Sequence, residues 1–298
     1  MAQQSGTTAN SRPPAPASFQ QQNQDIVTRW TNYLVTPLPD IQQDIDAARN
    51  QRPHQLFHRR EFGSIWDRYI VQNASIMLLL SSTPQARPKN YVIHLDSESN
   101  SPAWRNTLSK LSARIVYERS NSRPLTTEPS SAQPYQPALA YFCRQHTAEG
   151  LHGLLQSLIY QLMAFITRHR PSVDLQPVEG MYYFRSATNP GDLTRGMGLF
   201  RKLVGELPRG DQVYIAIDDY SAMNHQPDEY DANLLMRALG QVMADNKGHV
   251  PINMLVTNAP DPSDARIISD LLCTFKGSQG VVDLKRVTNG PRRAYRRQ

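Results

Sequence analysis

The chain has 298 residues, 39% of them hydrophobic and 19% charged, with a net charge of +6. That is enough apolar material for one sizeable α/β core or two modest ones. The only two cysteines, Cys143 and Cys273, both lie in apolar segments, which excludes a disulfide framework and a zinc site of cysteines.

Residues 1–24 are rich in Gln, Ser, Thr, Pro and Ala and nearly devoid of aliphatic side chains. Ordering them would cost entropy with no apolar burial to offset it, so a disordered arm is predicted. The arm has no basic start followed by an apolar core, so it does not read as a signal or transit peptide. The longest apolar run, 76–80, is far short of a membrane span, and the expectation is an intracellular, cytoplasmic protein without one. Residues 25–72 carry Ile26, Trp30, Tyr33, Leu34, Ile41 and Ile45 at helical spacing, interrupted by Pro37 and Pro39, and predict a helical cap.

From residue 73 to 290, short aliphatic runs alternate with amphipathic stretches, which predicts a mostly parallel sheet flanked by helices. The candidate strands are 75–80, 91–95, 139–142, 213–217, 252–256 and 281–284. The clearest helix carries Leu151, Leu154, Leu155, Leu158, Ile159, Leu162, Met163 and Ile166, and further helices are expected around 199–207, 234–243 and 267–272. The Ser-, Thr-, Pro- and Gln-rich stretch 119–137 reads as a long exposed loop. Residues 291–298 form a basic tail with four arginines, without which the net charge is +2. A nucleic-acid-binding role rests on this tail alone, and the tail reads as solvated charge.

Several segments carry a more specific pattern. Phe62 and Trp66 precede the first strand; Leu139-Ala140-Tyr141-Phe142-Cys143 forms a second; the helix with Leu154-Leu155-Gln156-Ser157-Leu158-Ile159-Tyr160-Gln161-Leu162 follows; then come Val213-Tyr214-Ile215-Ala216-Ile217-Asp218 and the run 252–260. In order and spacing these resemble the NACHT-type P-loop NTPase domains of fungal signalling proteins in the STAND class, over about residues 62–284. The resemblance implies a P-loop-NTPase-like fold in which Asp218 stands at the Walker B position and 252–260 is the strand that ends in a phosphate-sensing arginine.

The same resemblance locates what is missing. A P-loop wraps phosphates in backbone N–H groups, which requires glycines and a lysine in G-x-x-x-x-G-K-[ST]. No glycine occurs from residue 64 to 149, and none of the six lysines follows a glycine. Two registrations are open. Residues 81–89 would offer Arg87 and Lys89, with prolines removing and flanking amides; residues 99–107 would put Arg105 in the lysine position, with Asn106 replacing the magnesium-binding hydroxyl. After Asp218 the family's later acids are replaced by Ser221 and Ala222, Asp219 is displaced in register and expected to point elsewhere, and Asn258-Ala259-Pro260 lacks the sensor arginine.

The bland reading of Asp218 and Asp219 is that they cap a helix or face solvent. His54 and His58 lack the glutamate of a zincin, and Ser221 lacks the glycines of a nucleophile elbow. The expectation is therefore a catalytically silent relative with no catalytic residues, no metal and no cofactor, acting through protein partners, intact members of the family among them. The alternative is an NTPase that binds ATP or GTP with magnesium weakly, through Arg87 and Lys89 or Arg105 together with Asp218.

Overall fold

The computed structural model describes residues 19–34, 37–50, 90–96, 102–120, 136–176, 190–223, 229–246, 249–258 and 283–287. The strand expected at 75–80, the helix at 267–272, the basic tail, Arg87 and Lys89 lie outside them.

Five strands are described: β1 (Tyr91–Asp96), β2 (Ala138–Phe142), β3 (Val213–Asp218), β4 (Ile252–Asn258) and β5 (Asp283–Val287). They form one sheet in the order β2-β3-β4-β1-β5, and every pairing is parallel. This is the mostly parallel sheet flanked by helices that the sequence predicts. Strands β3 and β4 are buried along their whole length, which is why their apolar residues do not alternate with exposed polar ones, although β4 also buries Asn253, Thr257 and Asn258.

The helices are α1 (Phe19–Tyr33), α2 (Ile41–Asn50), α3 (Pro102–Ser120), α4 (Gly150–His169), α5 (Pro190–Gly205) and α6 (Glu229–Asp245), with short 3-10 turns at Cys143–Gln145 and Tyr220–Met223. The chain crosses the sheet from β1 to β2 by way of α3, then returns through β3 to β4 by way of α4, α5 and α6. Because parallel crossovers are right-handed, opposite directions of travel put these helices on opposite faces. Leu108, Leu111 and Ile115 of α3 accordingly pack on Ile93, Leu95, Tyr214 and Leu255, while α4, α5 and α6 gather in the larger core on the other face.

Helix α3 has no counterpart among the helices expected from sequence. Its inner side meets the sheet, while Ala113 and Val116 join the cluster that holds Ile41, Ile45 and Ala48 of α2. A helix covered on two sides shows no single apolar stripe, and polar Thr107 and Ser112 sit on its buried surface, so the periodicity is blurred.

The N-terminal helices also depart from the expected arrangement. Helix α1 begins at Phe19, inside the stretch assigned to the arm, because buried Asn23 clamps a distant loop: its Nδ2 donates to Val173 O at 2.7 Å and its Oδ1 accepts from Leu175 N at 3.0 Å. Helix α1 packs on α4 and α2 packs on α3. The two helices therefore straddle the β2 edge of the sheet, one on each face.

That edge is satisfied by a side chain. Gln161 of α4 accepts from Ala140 N at 2.9 Å and donates to Ala140 O at 2.8 Å, occupying the backbone groups that an outermost strand would otherwise leave open. Farther along, buried Arg170 at the end of α4 forms a two-point ion pair with buried Asp211, just before β3. Replacing Gln161 with Leu should lower stability by about 2 kcal/mol, since it strands a buried donor and acceptor together. An unchanged urea midpoint in Gln161→Leu would show that the clamp is dispensable.

Candidate functional site

The carboxyl ends of parallel strands are where ligands bind in open α/β sheets, at points where neighbouring connections leave toward opposite faces. Here a cleft of about 410 Å³ lies at the ends of β2, β3 and β4, beside the first turns of α3. Arg105, Asn106, Ser109, Arg144, Asp218, Asp219, Thr257 and Asn258 contribute to its wall.

Asp218 ends β3 and is 3% exposed. Its side chain points to the α3 face, where Ser109 Oγ donates to Oδ2 at 2.5 Å and Ser112 Oγ donates to Oδ1 at 3.3 Å. Thr257 Oγ1, from β4, donates to the same Oδ1 at 2.7 Å. Both carboxylate oxygens are thus taken by protein donors, and the residue neither caps a helix nor faces solvent. Burial pushes its pKa up to about 6; the hydroxyl donors pull the other way without cancelling the desolvation.

Asp219 follows in the left-handed region, at φ 51°. Its N–H donates to Thr257 Oγ1 at 2.9 Å and its Oδ1 accepts from Ser221 Oγ at 2.7 Å. These two bonds hold a conformation that costs a non-glycine residue on the order of 1 kcal/mol or more. Asp219 lines the cleft beside Asp218, which corrects the expectation that it points elsewhere: the left-handed turn offsets the alternation that would have sent it to the other face.

The strand β4 supplies polar rather than cationic groups. Asn258 Oδ1 accepts from Ser221 N at 3.1 Å, and its Nδ2 contacts His94 Nε2 of β1 at 2.8 Å, both inside the protein. Ser221 is thereby built into the turn after β3.

Arg105 sits in the first turn of α3 and lines the same cleft as Asp218, so the structure brings together the second registration's cation and Asp218. Arg87 and Lys89 of the first registration lie outside the described residues, but the connection that leads from β1 into α3 is 97–101. Its sequence, Ser97-Glu98-Ser99-Asn100-Ser101, contains no glycine and no cation, and it includes an acid. Arg144, which no sequence motif singles out, is exposed on the 3-10 turn after β2 and adds a second cation to the cleft. Its position directly after the strand end is the one signal that could have found it. Among the described residues no group of three or more His, Cys, Asp or Glu side chains is placed to hold a metal ion, and no described helix is long and apolar enough to cross a membrane.

No family model matches the sequence. No characterised protein matches it by sequence either. Among solved structures, the chain is similar to the Orc1 protein of Aeropyrum pernix, solved in complex with DNA, at 11% identity and a TM-score of 0.38, over 80% of this chain and 46% of that one. The chain thus spans about half the length of that protein, and a likeness so distant says nothing about activity or partners.

The buried carboxylate gives a pH signature. A group whose pKa is raised by folding contributes stability that is fully present below its unfolded pKa, near 3.8, and lost as the pH rises through about 6. Asp218→Asn escapes that loss. Relative to the parent, the variant should gain about 2.4 kcal/mol between about pH 4 and pH 7.5, measured by urea unfolding. A gap between the two proteins that does not change with pH would mean that Asp218 is not desolvated as described.

Proposed function

We propose that this chain is a catalytically silent, NACHT-like member of the P-loop NTPase class that acts through protein contacts. The observation that carries the reading is the state of Asp218. A Walker B aspartate serves by holding magnesium and its water shell, whereas here three hydroxyls, two of them from α3, donate to the carboxylate, two to Oδ1 and one to Oδ2.

The residues around it do not fit ATP-magnesium. The connection 97–101 has no glycine to let amides approach a phosphate and carries Glu98, which would repel one. At the two positions where the family carries its later acids, Ser221 is committed to Asp219 and Ala222 is apolar, which leaves Asp219 as the one further acid in the cleft wall. Phosphoryl transfer is accelerated chiefly by stabilising the charge of its transition state, and a sequence without the glycine-rich amides and the sensor arginine lacks two of the groups that do so. What remains is a well-packed scaffold, for which association with other proteins, intact NACHT-family members among them, is the role left.

A second reading, weak ATP or GTP binding, is favoured by one observation: Arg105 and Asp218 share a cleft that also holds Arg144. One titration separates the two. Isothermal titration of the full chain with ATP-magnesium at millimolar concentration should give no binding heat. Saturable heat together with phosphate release, both lost in Arg105→Ala and Asp218→Ala, would replace the first reading with the second.

A further inference from the structure

The carboxyl-end cleft has polar groups of two kinds. Its acids are engaged within the protein: Asp218 accepts from Ser109, Ser112 and Thr257, and Asp219 accepts from Ser221. Its donors are not bound up in the same way. Arg144 and Gln145 are exposed on the 3-10 turn after β2, Asn106 is half-buried early in α3, and all three border the cleft. Among the described residues, none of these three side chains has a hydrogen-bond or ion-pair partner.

The chemistry of these groups narrows what they recognise. A guanidinium presents paired N–H groups in the plane in which a carboxylate accepts, so an exposed arginine bordering a cleft suits that group in particular. A carboxamide offers donors and an acceptor, the complement of a peptide group's C=O and N–H. Leu108 and Phe142 add an apolar part to the wall.

Charge sets a further limit. The wall carries two acids, Asp218 and Asp219, against two arginines, Arg105 and Arg144. A polyanion would meet both acids along with both cations, so the pattern suits a ligand with one negative charge rather than a triphosphate. A single carboxylate, adjoining amides and an apolar side chain together describe the carboxyl-terminal end of a peptide. The volume of about 410 Å³ agrees, since it lies in the range of small-ligand sites and holds the end of a chain rather than a folded surface.

We propose that this cleft captures the carboxyl terminus of a partner protein. Arg144 pairs with the terminal carboxylate, Asn106 and Gln145 bond the last peptide groups, and Leu108 and Phe142 receive an apolar last side chain. The inference rests on the reading of the chain as one that acts through protein contacts, and it names the chemistry of the partner at that contact. Arg144 is the position that tests it, because an exposed side chain on a surface turn can be replaced without disturbing the core.

Calorimetric titration of the full chain at about pH 7.5, with N-acetyl tripeptides carrying each natural amino acid in turn as the last residue at up to about 10 mM, is the experiment. Peptides with an apolar last residue should bind saturably, and amidating the terminal carboxylate should weaken binding by about tenfold or more. Arg144→Gln should lose a similar factor while keeping the parent's thermal unfolding midpoint. The proposal is overturned if no peptide with an apolar last residue saturates, if acid and amide forms bind alike, or if Arg144→Gln binds as the parent does. ATP-magnesium titrated alongside keeps the two claims apart. Its binding with phosphate release would remove the reading beneath the proposal, while peptides that fail to bind beside an equally inert ATP-magnesium would overturn the proposal alone.

Discussion

A carboxylate taken out of water needs donors, and the way Asp218 obtains them organises the centre of this molecule. Ser109 and Ser112 reach it from α3 and Thr257 reaches it from β4, so one side chain at the end of β3 ties a helix on one face to the neighbouring strand. The same threonine accepts the Asp219 amide and so helps to hold the left-handed turn that follows. The arrangement settles α3 onto the sheet by directing two hydroxyls to Oδ1 and one to Oδ2. Burial still wins over the hydroxyls, since the pKa is raised to about 6 rather than lowered, and the site therefore carries an electrostatic cost at neutral pH. Costs of this kind mark places where a scaffold was shaped by more than stability.

Around that centre, the exposed margin of the sheet is handled by polar side chains acting on backbone. Gln161 satisfies both free groups of Ala140 on β2. Asn90, before β1, likewise donates to Met243 O at 2.5 Å and accepts from Ile252 N at 2.7 Å, joining the end of α6 to the start of β4. Gly153 shows how closely α4 meets the turn before it, because a Cβ there would come within 2.3 Å of Glu149 Cβ and 2.9 Å of the Tyr141 hydroxyl. With α1 and α2 lying on opposite faces beside β2, the margin that could recruit another chain is enclosed by the protein's own N-terminal helices.

Much of this is legible from sequence where a segment's pattern is set by a single surrounding. Strands β3 and β4 are buried on both faces and show no alternation with exposed polar residues; α4 has one apolar stripe, and its extent is plain from that stripe to within a few residues. Helix α3 is not legible because it is covered from two sides and turns serines toward a buried acid, so its pattern matches neither a surface helix nor a core one. The start of α1 is hidden because Asn23, a residue common in disordered stretches, becomes a buried clamp only through Val173 and Leu175, 150 residues and more away in sequence. At the site, the family resemblance points to Asp218 and Arg105. It does not show that α3 hydroxyls occupy the acid, that Asp219 turns back into the cleft, or that Arg144 joins it, since these depend on long-range packing and one unusual backbone angle.

The central claim, that protein hydroxyls and not a metal ion satisfy Asp218, can be read from the carboxyl group itself. Carbon-13 NMR of selectively labelled aspartate, with Asp218 assigned by substitution, would follow its titration with and without ATP-magnesium. The account predicts a midpoint near 6 in both cases, because nothing displaces the three donors. A midpoint driven down by about one unit or more when ATP-magnesium is added would place the ion on this carboxylate and contradict the account.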